Sequence, residues 1–146
     1  TILATDIDQV VLEKAKLGVY LQNEVKSLPP ELLGKYFRKE RELFHFDDGL
    51  KKQVRFEKHN LLQDPYPKEM DLIICRNVVI YFTEEAKNQL YIGFNHSLRH
   101  NGYFLAGGTE PLLYYRQFGF DNVGLSFYQK IGPPQLEANG EQGRML

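Results

Sequence analysis

Cysteine is nearly absent from this chain. Cys75 is the only one in 146 residues, so no internal disulfide can form, and a reducing compartment fits. Long apolar runs are missing as well. None approaches the length of a membrane-spanning helix, and the opening Thr1-Ile2-Leu3 does not read as a signal peptide. Charge of one sign is not in excess. The net charge of -1 removes any bulk electrostatic reason to expect nucleic acid as a partner. His45 and His59 lack metal-ligand spacing, which argues against a zinc site. There are no internal repeats. No G-x-G-x-x-G turn occurs, so a dinucleotide oxidoreductase on an α/β scaffold lacks its usual support.

What is present suits one globular domain: 42% of residues are hydrophobic and 25% charged. The stretch Asp71 to Phe82, DLIICRNVVIYF, organises it. Leu72 to Cys75 is a short continuous apolar run, the pattern of a strand buried on both faces in the middle of a parallel sheet. Arg76 and Asn77 then turn polar, and Val78 to Phe82, with Tyr81 inside it, is apolar again. Thr83 reads as a helix N-cap, with Glu84 and Glu85 where carboxylates suit the helix dipole. A polar pair just beyond the carboxyl end of a buried strand lies where open α/β sheets bind ligands. An ordinary solvated turn after a core strand has the same pattern, and these residues alone do not choose.

In chain order, Thr1 to Thr5 read as a strand with Asp6-Ile7-Asp8 at its carboxyl end. The chain enters this strand without an initiating methionine, and it is expected to be a piece of something longer. Asp8 caps a helix to about Lys16, with Val11, Leu12 and Ala15 on one face and Gly18 just past its end. Asp6, at the strand tip, is either a turn residue or a carboxylate that accepts the hydroxyls of a ribose. Tyr20 to Lys52 is too long and polar for a βα loop. It reads as an insertion with a short helix after Pro29-Pro30, carrying Leu32, Leu33, Tyr36 and Phe37, and a hairpin before the Asp47-Asp48-Gly49 turn. Lys35, Arg38, Lys39 and Arg41 are a solvated face or a contact for an acidic partner.

Val54, Phe56 and Lys58 alternate with Arg55 and Glu57 as a strand. Asp64 to Pro67 make a turn. Thr83 to Leu98 is the clearest helix, with Ala86, Leu90, Tyr91, Phe94 and Leu98 at helical spacing. Asn101-Gly102 ends it, and Tyr103 to Ala106 resume as a strand. Phe118 to Phe120 and Gly124 to Ile131 form a terminal antiparallel pair, and the Pro-, Gly- and Glu-rich tail 132–146 is expected to be disordered. Alternating strands and helices make the class α/β with a largely parallel sheet.

ATDID (4–8), KHNLL (58–62), DLIICRNVVIYF (71–82) and GGTE (107–110) come in an order and spacing that resemble the chemotaxis receptor glutamate O-methyltransferases, the CheR type. The resemblance runs from Thr1 to about Lys130. It implies an S-adenosylmethionine-dependent transfer of methyl to receptor glutamates, forming methyl esters and leaving S-adenosylhomocysteine, in chemotactic adaptation. It implies a class I methyltransferase fold, Rossmann-like, with its last strand antiparallel. Residues 1–131 would be the catalytic domain, lacking the family's first strand and glycine loop, with about 20–54 as a small inserted β-subdomain for receptor contact. Asp6 would bind the ribose, and Asn60 and Leu61 would lie along the adenine. Arg76 and Asn77 would line the pocket near the methionine moiety, and Tyr81 would sit close to the methyl donor. Tyr81 and Arg76 are thus the expected catalytic residues, and Asp6, Asn60, Leu61, Arg76 and Asn77 the cofactor-binding ones. No metal is expected. The implied partner is the cytoplasmic domain of methyl-accepting chemotaxis receptors, met by a cytoplasmic monomer without membrane insertion or nucleic acid. The alternative is a methyltransferase-like binding or regulatory domain without activity. If Val78 to Phe82 is helical, Tyr81 lies near Asn77 by the i, i+4 relation.

Overall fold

The computed structural model describes residues 1–108 and 111–136. The chain divides into two compact units, Thr1–Asn60 and Leu61–Leu146. Each has its own sheets.

In the first unit, β1 (Ile2–Asp6) leads into α1 (Gln9–Leu17). Asp8 caps α1 by accepting the Val10 N–H at 2.8 Å, which satisfies one of the donors a helix start leaves open. Gly18 ends it at φ 63°, in the left-handed conformation that a side chain would strain, and its N–H returns to the Lys14 carbonyl. Leu12 is buried, whereas Val11, expected beside it, is exposed; α1 covers its unit with a narrower stripe than the spacing allowed. Then come β2 (Val19–Leu21), the single turns α2 (Gln22–Val25) and α4 (Asp48–Lys51), and between them α3 (Pro30–Tyr36), β3 (Phe37–Glu40) and β4 (Leu43–Phe46). Pro30 stands in the first turn of α3, where its missing N–H costs nothing.

Strands β2, β4 and β3 make an antiparallel sheet in that order. Phe44 of the central strand is buried, and so is Val25 of α2. Phe37 packs edge-on to Phe46 and to Tyr20, with ring centroids 5.1 and 6.1 Å away. Phe37 therefore belongs to β3 rather than to the preceding helix. Asp47 is not a simple turn residue either: its carboxylate accepts the Leu50 N–H and starts α4. After this insertion β5 (Val54–Lys58) returns parallel to β1, pairing Ile2 with Val54 and Asp6 with Lys58. Parallel strands need a long crossover, and residues 7–53 supply it.

In the second unit β6 (Met70–Cys75) is followed by a 3₁₀ turn over Val79–Tyr81, and then by α5 (Glu84–Ser97). Thr83 caps α5 through its hydroxyl, which accepts from the Ala86 N–H at 3.3 Å. β7 (Leu98–Ala106) begins directly at the helix end, with Asn101 at φ 60° inside it. Leu98, expected on the helix, is the first strand residue. A second 3₁₀ turn, Tyr115–Phe118, precedes β8 (Phe120–Gly124) and β9 (Phe127–Lys130), so the terminal hairpin turns at Leu125-Ser126. The sheet runs β6-β7-β9-β8: β7 is parallel to β6, and β9 is antiparallel to both its neighbours.

The core of this unit is aromatic. Phe104 of β7 is buried among Phe94 of α5 and Tyr128 of β9, at centroid distances of 5.1 and 5.9 Å; each such side chain contributes about 1.5–3 kcal/mol by burial. The expectation that Leu72 to Cys75 is buried on both faces does not hold. Ile73 and Cys75 face this core, but Leu72 and Ile74 are 45% and 61% exposed. Among the described residues β6 is an edge strand covered on one face, so its apolar run alternates in burial even though it does not alternate in sequence. Gly132 to Leu136, the first part of the tail, are tied down. The Gly132 N–H donates to the Gly119 carbonyl, and the Gln135 N–H to the Gln117 carbonyl at 2.7 Å. The rest of the expected disordered tail, 137–146, lies outside the described residues.

Candidate active site

The carboxyl ends of the parallel strands carry the residues in question. At the tip of β1, Asp6 is half-buried and its Oδ1 accepts the Asp8 N–H at 2.9 Å. Asp6 is thus a turn residue in fact. Only one carboxylate oxygen takes part in that turn, so the turn and a ligand role are compatible. The Asp6 carbonyl accepts the His59 N–H at 2.9 Å. This joins the tips of β1 and β5 and places Asp6 beside the segment that leads to Asn60, itself partly buried.

In the second unit Leu61 is partly buried against the core. Its carbonyl accepts the Tyr66 hydroxyl at 2.6 Å. Burial, with the Cys75 thiol as a smaller contribution, pushes the Tyr66 hydroxyl up to about 12, so it remains a donor at neutral pH. Sequence reasoning missed this contact, because Asp64-Pro65-Tyr66-Pro67 reads only as a turn; an aromatic between two prolines was the available signal.

Beyond the tip of β6, Arg76 and Asn77 are both exposed, and Asn77 sits at φ 59°. Asparagine tolerates that left-handed conformation better than other side-chain-bearing residues, and it turns the chain out of the strand. The Tyr81 and Phe82 N–H groups then return to the Val78 and Val79 carbonyls at 3.3 and 3.1 Å. This tighter turn replaces the expected α-helical one. With i, i+3 residues eclipsed in a 3₁₀ turn and Asn77 outside it, the i, i+4 relation between Asn77 and Tyr81 does not form. Val79 is buried and anchors the turn, whereas Tyr81 is 81% exposed and is no core aromatic. Thr109 and Glu110 of GGTE lie outside the described residues. Among the described residues no group of three or more His, Cys, Asp or Glu could hold a metal ion, and no helix is long and apolar enough to cross a membrane.

A family model described as CheR methyltransferase, SAM binding domain, matches residues 1–127. The chain belongs to this family. Its fold is accordingly that of the class I S-adenosylmethionine-dependent methyltransferases, and the antiparallel β9 between β7 and β8 is in keeping with it. The chemotaxis protein methyltransferase of Listeria monocytogenes is 37% identical over 129 residues, covering 88% of this chain and 49% of that protein. The one from Borreliella burgdorferi is 41% identical over 114 residues, covering 76% and 40%. The one from Escherichia coli is 36% identical over 115 residues, covering 75% and 40%. The chain thus spans about half, or less, of the length of these relatives. Among solved structures, a TehB-like SAM-dependent methyltransferase from Corynebacterium glutamicum is similar at 14% identity with a TM-score of 0.49, covering 87% of this chain and 64% of that one.

Proposed function

We propose that this chain is the cofactor-binding and catalytic part of an enzyme that methylates glutamate side chains of chemotaxis receptors. The observation that carries the reading is the family match over residues 1–127, which takes in ATDID, KHNLL and CRNVVIYF together. The residues present fit the cofactor chemically. Asp6 offers a carboxylate at a strand tip for the ribose, Asn60 and Leu61 follow β5 for the adenine, and Arg76 and Asn77 follow β6 for the methionine end. When bound, S-adenosylmethionine supplies a methyl group activated on a sulfonium.

The receptor glutamate is already ionised at neutral pH, so the chain needs no strong general base. Its residues attract, align and dry the carboxylate. The exposed Arg76 guanidinium attracts it, and the Tyr81 hydroxyl donates to it while the ring displaces water. Opposite charges meet as the methyl passes over, so excluding water favours transfer, and alignment supplies most of the remainder. The inserted sheet β2-β4-β3 is the receptor-contacting element, and its β3 edge carries Arg38 and Lys39. The protein works in the cytoplasm, as a monomer. Calorimetry on the complete protein, with S-adenosylhomocysteine and NAD in parallel, tests the cofactor. Labelled transfer to a receptor cytoplasmic domain tests the reaction. Binding of the first ligand alone and alkali-labile label on receptor glutamates are expected; NAD binding, or no label on receptor, overturns the reading.

A further inference from the structure

Tyr66 belongs to a latch that the proposed chemistry does not use. Its ring lies against α5 at Gly93. A Cβ placed there would come 2.6 Å from Cε2 and 2.7 Å from Cζ of the tyrosine, so only glycine lets the ring approach. The same ring meets Phe94 edge-on at 5.8 Å. One helical turn further on, the Ser97 hydroxyl donates to the Pro67 carbonyl at 2.5 Å. Residues 66 and 67 are therefore fixed to one face of α5, at Gly93 and Ser97. From there the Tyr66 hydroxyl reaches back to the Leu61 carbonyl at 2.6 Å.

We infer that Tyr66, seated on Gly93, is a positioning residue that holds the Leu61 backbone in place for the adenine end of the cofactor. The inference rests on the proposed role of Leu61. Leu61 has no regular element to hold it: it lies in a turn between β5 and β6, and its side chain is only partly buried. The Tyr66 hydroxyl, linked to α5, gives the Leu61 backbone a fixed partner in addition to the packing of its side chain against the core. Preorganising a loop in this way raises affinity by removing the cost of ordering it on binding.

Tyr66→Phe keeps the ring on Gly93 and removes the hydroxyl that donates to the Leu61 carbonyl. In the complete protein, affinities are measured for S-adenosylhomocysteine and, by competition, for 5′-methylthioadenosine, which lacks the amino acid part. Loss of one hydrogen bond corresponds to roughly three- to tenfold, and both ligands should weaken by the same factor, because both keep the adenine. The comparison variant Asn77→Ala should weaken S-adenosylhomocysteine and spare methylthioadenosine. Measured well below the melting temperature, a merely structural role for Tyr66 would lower that temperature and leave both affinities unchanged. Unchanged affinities in a wild-type background that binds overturn the inference alone. Absence of binding by the wild-type protein overturns the functional reading and takes the inference with it. Gly93→Ala, which drives a methyl group into the Tyr66 ring, should reproduce the affinity loss and exceed it.

Discussion

At the scale of single residues, Asp6 and Tyr81 separate binding from turnover. Asp6 sits at the tip of β1 with one oxygen committed to the Asp8 N–H. Replacing it with Ala in the complete protein should weaken S-adenosylmethionine at least about tenfold, or about 1.4 kcal/mol, in calorimetry. Asp8 keeps its own cap on α1, so the helix should survive. Tyr81 is held out by a turn whose buried anchor is Val79, and its contacts are expected to form only when the receptor carboxylate arrives. Tyr81→Phe should leave the cofactor dissociation constant within about twofold and lower single-turnover methyl transfer by about ten- to a hundredfold. Wild-type turnover in the Phe variant would remove the hydroxyl from the mechanism. Both residues were legible as candidates from their strings. Their surroundings were not: no periodicity could say that Asp6 closes a turn with one oxygen, or that Tyr81 stands in solvent rather than in the core.

At the scale of elements, α5 carries more than its apolar stripe. Asn95, 1% exposed, donates from Nδ2 to the Phe118 carbonyl at 2.8 Å and the Gly132 carbonyl at 2.9 Å. Asn95→Ala would leave the buried Phe118 carbonyl and the partly buried Gly132 carbonyl without this donor. A loss of about 2–4 kcal/mol follows, to be read as a lower denaturant midpoint with an unchanged slope. Lys130 meanwhile donates to the Asn95 and Leu98 carbonyls at the helix end, at 2.7 and 2.6 Å, where a cation also suits the dipole.

His96 lies close by on the exposed side of α5, and partial desolvation against the helix end, with the nearby Lys68 and Lys130 charges adding to it, lowers its pKa below the usual 6.5. A base whose folded pKa is lowered binds its proton more readily when unfolded. Stability therefore falls as pH drops through the ordinary histidine value, and the fall is complete below the lowered one. Melting temperatures compared at about pH 7.5 and about pH 5 should drop less for His96→Gln than for wild type; equal drops would remove His96 as a contributor.

At the scale of the whole molecule, the inserted sheet is expected to be replaceable without loss of the strands on either side of it. β1 and β5 pair with each other across the insertion, and β2, β4 and β3 close their own aromatic cluster. Replacing residues 20–53 with a short Gly/Ser bridge should spare cofactor affinity and abolish methylation of intact receptor. Loss of cofactor binding in a variant that still melts cooperatively would place the insertion in the cofactor site instead.

The sequence by itself determined whatever is settled by neighbours a few residues apart. The caps at Asp8 and Thr83, the stop at Gly18, the alternation in β5 and the four family strings are all of this kind, because each depends on local backbone chemistry or on residue identity in order. Tertiary structure decided the rest. Leu72 to Cys75 reads as a strand buried on both faces, yet among the described residues β6 lies at a sheet edge, and burial depends on which strands stand alongside. Tyr66 reads as a turn residue until α5 presents Gly93 beneath its ring. Asn95 reads as a polar interruption of a helix stripe until a carbonyl 37 residues away comes within hydrogen-bonding distance. Enclosure and pairing at such separations are properties of the packed chain, because the groups that satisfy one another there are brought together only by folding.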